Sequence, residues 1–138
     1  MKPIEASRAP PTASDVPDVL CPLALQKLHK IVGGNNDVFT ELIAMFLEDA
    51  PTFLENMRQA VKHGAAADLR LAAHSLKSNS AEFGATALCE LCRELEAMGK
   101  ENTLGGAAEK VSQAEVLYEQ VQAALIDIRE ALAKKPGK

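Results

Sequence analysis

Apolar residues recur at helical spacing from about residue 21 to residue 135, and nowhere do they alternate as in a strand. Leu23, Leu25, Leu28, Ile31 and Val32 outline a short helix that stops at Gly33-Gly34, where Asn35 or Asn36 can cap the next one. Phe39, Leu42, Ile43, Phe46 and Leu47 follow the i, i+3, i+4, i+7, i+8 rule and predict one buried face from about Asp37 to Asp49. Pro51 lacks an N–H and crowds the preceding turn, which predicts either a kink or a fresh start. Beyond it Leu54, Met57 and Val61 carry the apolar face on to His63-Gly64. Further helices are predicted from Ala65 to Phe83, from Leu88 to Met98 with Gly99 ending it, and from Val111 to Leu132 with Pro136-Gly137 stopping it. No repeat of solenoid length occurs. The pattern predicts an all-α fold: an antiparallel four-helix bundle with an additional short N-terminal helix, over residues 21–135.

Residues 1–20, MKPIEASRAPPTASDVPDVL, hold four of the seven prolines and no stable apolar period. They read as a flexible Pro-rich tail or a severed linker. The chain of 138 residues suits one domain, able to bury a core without disulfides or a structural metal. Aromatics at 4% against 47% hydrophobic residues tilt the composition toward helix. The net charge of -4 is mild and the Lys and Arg residues are scattered, which excludes the basic stripe of a nucleic-acid binder. Neither a membrane-length apolar run nor a signal peptide is present in the sequence, so a cytoplasmic protein without membrane contact is expected. Cys21, Cys89 and Cys92 are an odd set, expected to be reduced thiols.

The segment AHSLKSNSAEFGA, residues 73–85, carries the candidate chemistry. At about 100° per residue, Ala65, Leu69, Ala72, Leu76, Ser80 and Phe83 fall opposite His74 and form the core face. His74 therefore points to solvent, on a stripe with Ala67, Arg70, Lys77, Ser78 and Ala81, and with Leu71 at the margin. Ala67, Ser78 and Ala81 are small, so another protein could lie over the imidazole. Arg70 at i−4 and Lys77 at i+3 reach anything bonded to the ring. An exposed imidazole is substantially neutral at pH 7, so one nitrogen keeps a lone pair and can act as a nucleophile. The adjacent cations would attract a phosphoryl group, whose charge Lys77 can offset. By spacing alone, a solvent-facing histidine on a helix is more often an ordinary surface residue.

The segment resembles the signature of histidine-containing phosphotransfer (HPt) domains, carriers of two-component phosphorelays: His-x-Leu-Lys-[Gly/Ser]-x-[Ser/Ala]-x-x-[Leu/Phe/Val]-Gly. His74, Leu76, Lys77, Ser78, Ser80, Phe83, Gly84 and Ala85 match, with serine at Ser78 where glycine is commoner. Gly33-Gly34-Asn35, Phe39 and Phe46-Leu47-Glu48-Asp49-Ala50-Pro51 resemble the helix pair that precedes the histidine helix, so the likeness covers about residues 21–133. The resemblance implies that His74 accepts a phosphoryl group from a receiver-domain aspartate and passes it to another, with no kinase active site of its own. It implies partners among response-regulator receiver domains and a hybrid histidine kinase. No cofactor or metal is expected here, since any Mg²⁺ sits in the receiver. By the same resemblance Lys77 assists the phosphoryl group, Ser78 permits close approach and Gly84 lets the chain turn beside the docking surface. Arg70, Leu71, Ala81 and exposed residues of the Phe39 to Asp49 helix are candidate docking positions. A monomer is expected.

Three other readings compete. A histidine kinase dimerisation domain follows its His with an acidic residue, whereas Ser75 and Leu76 stand here, and the chain has no glycine-rich ATP boxes. Cys89 and Cys92 at i, i+3 suggest a redox or zinc pair, but no second pair completes a site, and Cys92 reads as a small apolar core residue. A helical adaptor that binds a receiver or kinase without phosphotransfer is the third, and it would need neither His74 nor Lys77. His29 and His63, near helix ends, are expected to be incidental. Glu90, Glu94, Glu96 and Arg93 read as a solvated helix face.

Overall fold

The computed structural model describes residues 19–134. Five helices follow in order: α1 Pro22–Ile31, α2 Asn36–His63, α3 Ala66–Glu82, α4 Thr86–Glu101 and α5 Ala107–Lys134. No strand occurs among the described residues. The links from α2 onward are two, three and five residues long, which leaves successive helices antiparallel neighbours. Around the bundle α2 packs on α3, α3 on α4, α4 on α5 and α5 on α2, while α1 lies against α2 and α3.

The core is the set of apolar stripes expected from the helical period: Phe39 and Ile43 of α2, Leu69 and Leu76 of α3, Leu88 and Leu95 of α4, Val121 and Leu125 of α5 are all at or near full burial. Asn35 is the cap of α2, its side chain accepting the Val38 N–H at 3.1 Å. The N-terminal helix departs from expectation at Leu23 and Ile31, which are exposed, because the face that α1 buries is that of Leu25, Leu28 and His29. The core also begins earlier than the proposed tail boundary, since Leu20 is buried and Val19 packs against it. Residues 1–18 of the tail expected over 1–20, and the Pro136-Gly137 stop, lie outside the described residues.

Pro51 neither ends nor restarts its helix: α2 runs unbroken through it for 28 residues. A proline at this position deprives the Leu47 carbonyl of its i+4 donor. The hydroxyl of the buried Tyr118, on α5, donates to that carbonyl at 3.3 Å. Burial pushes the Tyr118 phenol pKa up, which keeps the hydroxyl a donor. A tertiary contact thus fills a local vacancy that sequence reading treats as a break.

Gly99 likewise does not end α4, which continues to Glu101 and closes on Asn102 in the left-handed region at φ 57°. Gly99 is buried at the α3 contact, where a Cβ would stand 2.7 Å from the Ala66 carbonyl oxygen and 2.8 Å from the Arg70 nitrogen. The missing side chain lets α4 lie directly on the first turn of α3. His29 is also more than incidental: it is buried, shares a 2.6 Å hydrogen bond between Nε2 and the Asn36 Oδ1, and meets Phe39 edge-on at 5.2 Å. It ties the end of α1 to the start of α2.

Candidate functional site

The helix that carries the site divides as its angles predict. Leu69, Ala72, Leu76, Ser80 and Phe83 are buried, and Ala65, just before α3, is half-buried. Ala73 joins the core because α4 packs closely on that side of α3. His74 stands out of the bundle with 59% of its side chain exposed. Ala67, Ser78 and Ala81 around it are exposed and small, so the ring rises above its surroundings.

His74 is not alone. Its Nδ1 lies 2.8 Å from Oε2 of Glu96 on α4, and the other oxygen of that carboxylate, Oε1, is 2.7 Å from Nζ of Lys77. One carboxylate therefore spans histidine and lysine. The Lys77 ammonium, followed by the His74 hydrogen bond, holds the Glu96 carboxyl below the usual carboxylate range, although partial burial opposes this. Glu96 is consequently ionised at neutral pH and can only accept hydrogen bonds. Nε2 of His74 makes no hydrogen bond among the described residues.

Sequence reasoning placed Glu96 on a solvated face and missed this contact; Glu90, Arg93 and Glu94 are exposed as expected, Glu90 and Arg93 approaching to 2.5 Å across an i, i+3 pair. Glu94 also reaches α5, pairing with Lys110 at 2.9 Å at the surface. A signal for Glu96 existed. In an antiparallel helix pair folded about Gly84, His74 lies ten residues before the turn and Glu96 twelve after it, which puts them within about 3 Å of the same height, inside the reach of a glutamate side chain.

Arg70, Leu71, Ser78 and Ala81 are exposed on or beside the His74 face. Leu71 borders a groove between α2 and α3, about 660 Å³, that also takes in Phe53 and Ser75. Met45, on the suggested helix, is half-exposed in a second depression with Asn79 and Glu82. Gly84 is a correction: it is buried and cannot itself touch a partner. Its carbonyl accepts the Cys21 N–H at 2.8 Å, its φ is +73°, and a Cβ would stand 2.8 Å from the Cys21 backbone. Glycine is required there to seat the N-terminal segment on the α3–α4 turn.

Burial pushes the Cys92 thiol up to about 12, and Cys89 is raised by burial and then by Glu90, so neither favours a reactive thiolate. Among the described residues no three His, Cys, Asp or Glu side chains converge on a possible metal position. No helix among them is long and apolar enough to cross a membrane.

The family model of the Hpt domain matches residues 41–131 of the chain. No curated protein matches it at a significant level. Among solved structures, histidine-containing phosphotransfer protein B (HptB) from Pseudomonas aeruginosa PAO1 is similar, with 27% identity and a TM-score of 0.74. The match covers 86% of this chain and 97% of that one. A helical bundle with an exposed histidine midway along α3, and a family model spanning most of it, lead to one conclusion: the chain belongs to the Hpt domain family.

Proposed function

We propose that the protein is a phosphorelay intermediate, with His74 as the residue that carries the phosphoryl group. The observation that carries this reading is the exposed His74 ring, with Nε2 unengaged and Lys77 one turn away at 28% exposure. The donor is a receiver-domain aspartyl phosphate. The Nε2 lone pair attacks phosphorus, the P–O bond to the aspartate breaks, and its electron pair returns to that carboxylate. Transfer onward to a second receiver aspartate is the same exchange in reverse. Lys77 offsets the phosphoryl charge, and Arg70, Leu71, Ser78 and Ala81 form the surface on which receivers sit. Partners are response-regulator receivers and a hybrid histidine kinase in the cytoplasm; the Mg²⁺ for the chemistry belongs to the receiver, and the carrier acts as a monomer without kinase activity of its own.

The test is to mix the protein with radiolabelled, phosphorylated receivers and follow the label. Wild type acquires label that is lost in acid and kept in alkali, whereas His74→Gln acquires none. Label on His74→Gln overturns the site, and absence of label on wild type with every receiver of the same cell overturns the relay in favour of a helical adaptor.

A further inference from the structure

Arg58, Lys77, Arg93 and Lys110 each hold a carboxylate, whereas Arg70, exposed one turn before His74, holds none among the described residues. We infer that Arg70 is a second binding residue for the phosphoryl group, donating to its oxygens while His74 carries it. This rests on His74 being the residue that carries the phosphoryl group.

The isolation of this guanidinium has a local cause. On a helix the neighbours of a residue lie three and four positions away, and those of Arg70 are Ala66, Ala67, Ala73 and His74. Three are alanines, so the imidazole is the one polar side chain at contact spacing on α3. Across the interface α4 presents Gly99 to the Arg70 backbone, where a Cβ would stand 2.8 Å from the nitrogen, and so brings no side chain at that point. Glu96, one turn from Gly99, already receives Lys77 at 2.7 Å and meets His74 Nδ1 at 2.8 Å. Glu101 lies about 200° around α4 from Gly99 and points elsewhere.

The imidazole leans toward this free cation. Side chains on a helix slant toward its N-terminus, so His74 covers the turn that holds Arg70. Their Cβ atoms are about 5–6 Å apart at this spacing, a gap that an arginine side chain spans. A phosphoryl group on Nε2 stands clear of Glu96, since Nδ1 is the nitrogen that meets the carboxylate. Lys77 reaches the group from the next turn with a carboxylate attached, so part of its charge is already met. Arg70 brings a charge that nothing offsets among the described residues, and its planar fork suits two parallel N–H bonds to two phosphoryl oxygens. Arg70 exchanges no proton in this; Nε2 alone forms the bond to phosphorus. Because those oxygens are charged both in the transferring group and on the histidine, the contact favours loading and retention alike.

The test uses phosphoramidate, a small donor that needs no receiver surface: Nε2 attacks its phosphorus, the P–N bond breaks and ammonia leaves with the electron pair. Loading of the full chain is followed by ³¹P NMR, and the Arg70 Nε–H by ¹⁵N NMR before and after. In wild type that N–H signal moves on loading, and in His74→Gln it stays. Arg70→Gln loads about threefold more slowly or worse, and Arg70→Lys, which keeps the charge without the fork, lies between. Lys62→Gln, the same loss of charge in the groove between α2 and α5, loads within about 1.5-fold of wild type. Far-UV circular dichroism confirms that each variant is folded. Loading of folded Arg70→Gln within about 1.5-fold of wild type overturns the inference, as does an Arg70 signal that loading leaves unmoved. Equal slowing of Lys62→Gln overturns it too, since net charge then accounts for the effect. So does slowing seen with phosphorylated receivers and not with phosphoramidate, which leaves Arg70 a docking contact alone. A wild type that phosphoramidate does not load overturns it as well. Failure of the relay reading is separate: phosphoramidate loads His74 and the Arg70 signal responds, while no receiver of the same cell gives or takes the label.

Discussion

Replacing Gly99 by alanine asks whether the approach of α4 to α3 sets the His74–Glu96 contact. The added Cβ would lie 2.7 Å from the Ala66 carbonyl oxygen, 2.8 Å from the Arg70 nitrogen and 3.0 Å from the Arg70 Cα. All three are backbone atoms and cannot rotate away, so the helices must separate by about 0.5–1 Å to restore ordinary contact. Overpacking of this kind costs about 1–3 kcal/mol. Alanine in place of a glycine in the last turn of a helix returns at most about 1 kcal/mol through helix propensity, leaving a net loss of up to about 2–3 kcal/mol. The consequence reaches the site because Glu96 lies one turn before Gly99, and His74 one turn after Arg70. A shift of about 0.5–1 Å stretches their 2.8 Å contact to the edge of hydrogen-bonding range or beyond. Urea denaturation of the two proteins side by side gives the stability difference, and the His74 ¹⁵N shifts report the contact. A Gly99→Ala protein about 1 kcal/mol more stable than wild type, with unaltered ring shifts, refutes the reasoning, since propensity alone then decides the outcome.

Three further outcomes follow from the packing. Tyr118→Phe removes the donor to the Leu47 carbonyl and is expected to lose about 0.5–1.5 kcal/mol, but less in a Pro51→Ala background where residue 51 regains an N–H; strictly additive effects in a double-mutant cycle refute the link. The Ser80 hydroxyl is fully buried with no hydrogen-bond partner among the described residues, so Ser80→Ala is expected to hold or raise stability by up to about 1 kcal/mol. A loss above about 1 kcal/mol in urea melts counts against that account. With its thiol near 12, Cys92 is ionised at pH 8 in only about one molecule in ten thousand, so peptide mapping after alkylation finds it labelled only once the chain is unfolded. Equal labelling in native and urea-treated protein sinks this prediction.

Much of the fold was legible because a helix buries a stripe that its own sequence repeats. Phe39, Ile43 and Phe46 point inward for the same reason that His74 points out, and this is decided by angle alone. Ser80 was placed in the core on those grounds, and it is there. The misjudged positions are those where a local rule met a neighbour. Pro51 looks like a break until Tyr118 supplies a donor, and Gly99 looks like a terminus until α3 lies against it. Leu23 and Ile31 look like core until α1 is seen to meet the bundle on a single narrow face.

The site divides along the same line. The sequence by itself determined that His74 is exposed, that its neighbours on α3 are small, and that Lys77 is one turn away, since all of these belong to one helix with a known period. It also carried the motif by which the chain resembles its family. Only the tertiary structure decided that Glu96 joins Lys77 to His74 and that Gly84 faces inward to Cys21. Those contacts depend on the distance and height at which α4 and the N-terminal segment lie against α3. Backbone approach at Gly99 and the turn at Gly84 set both quantities, and no periodicity within a single helix encodes them.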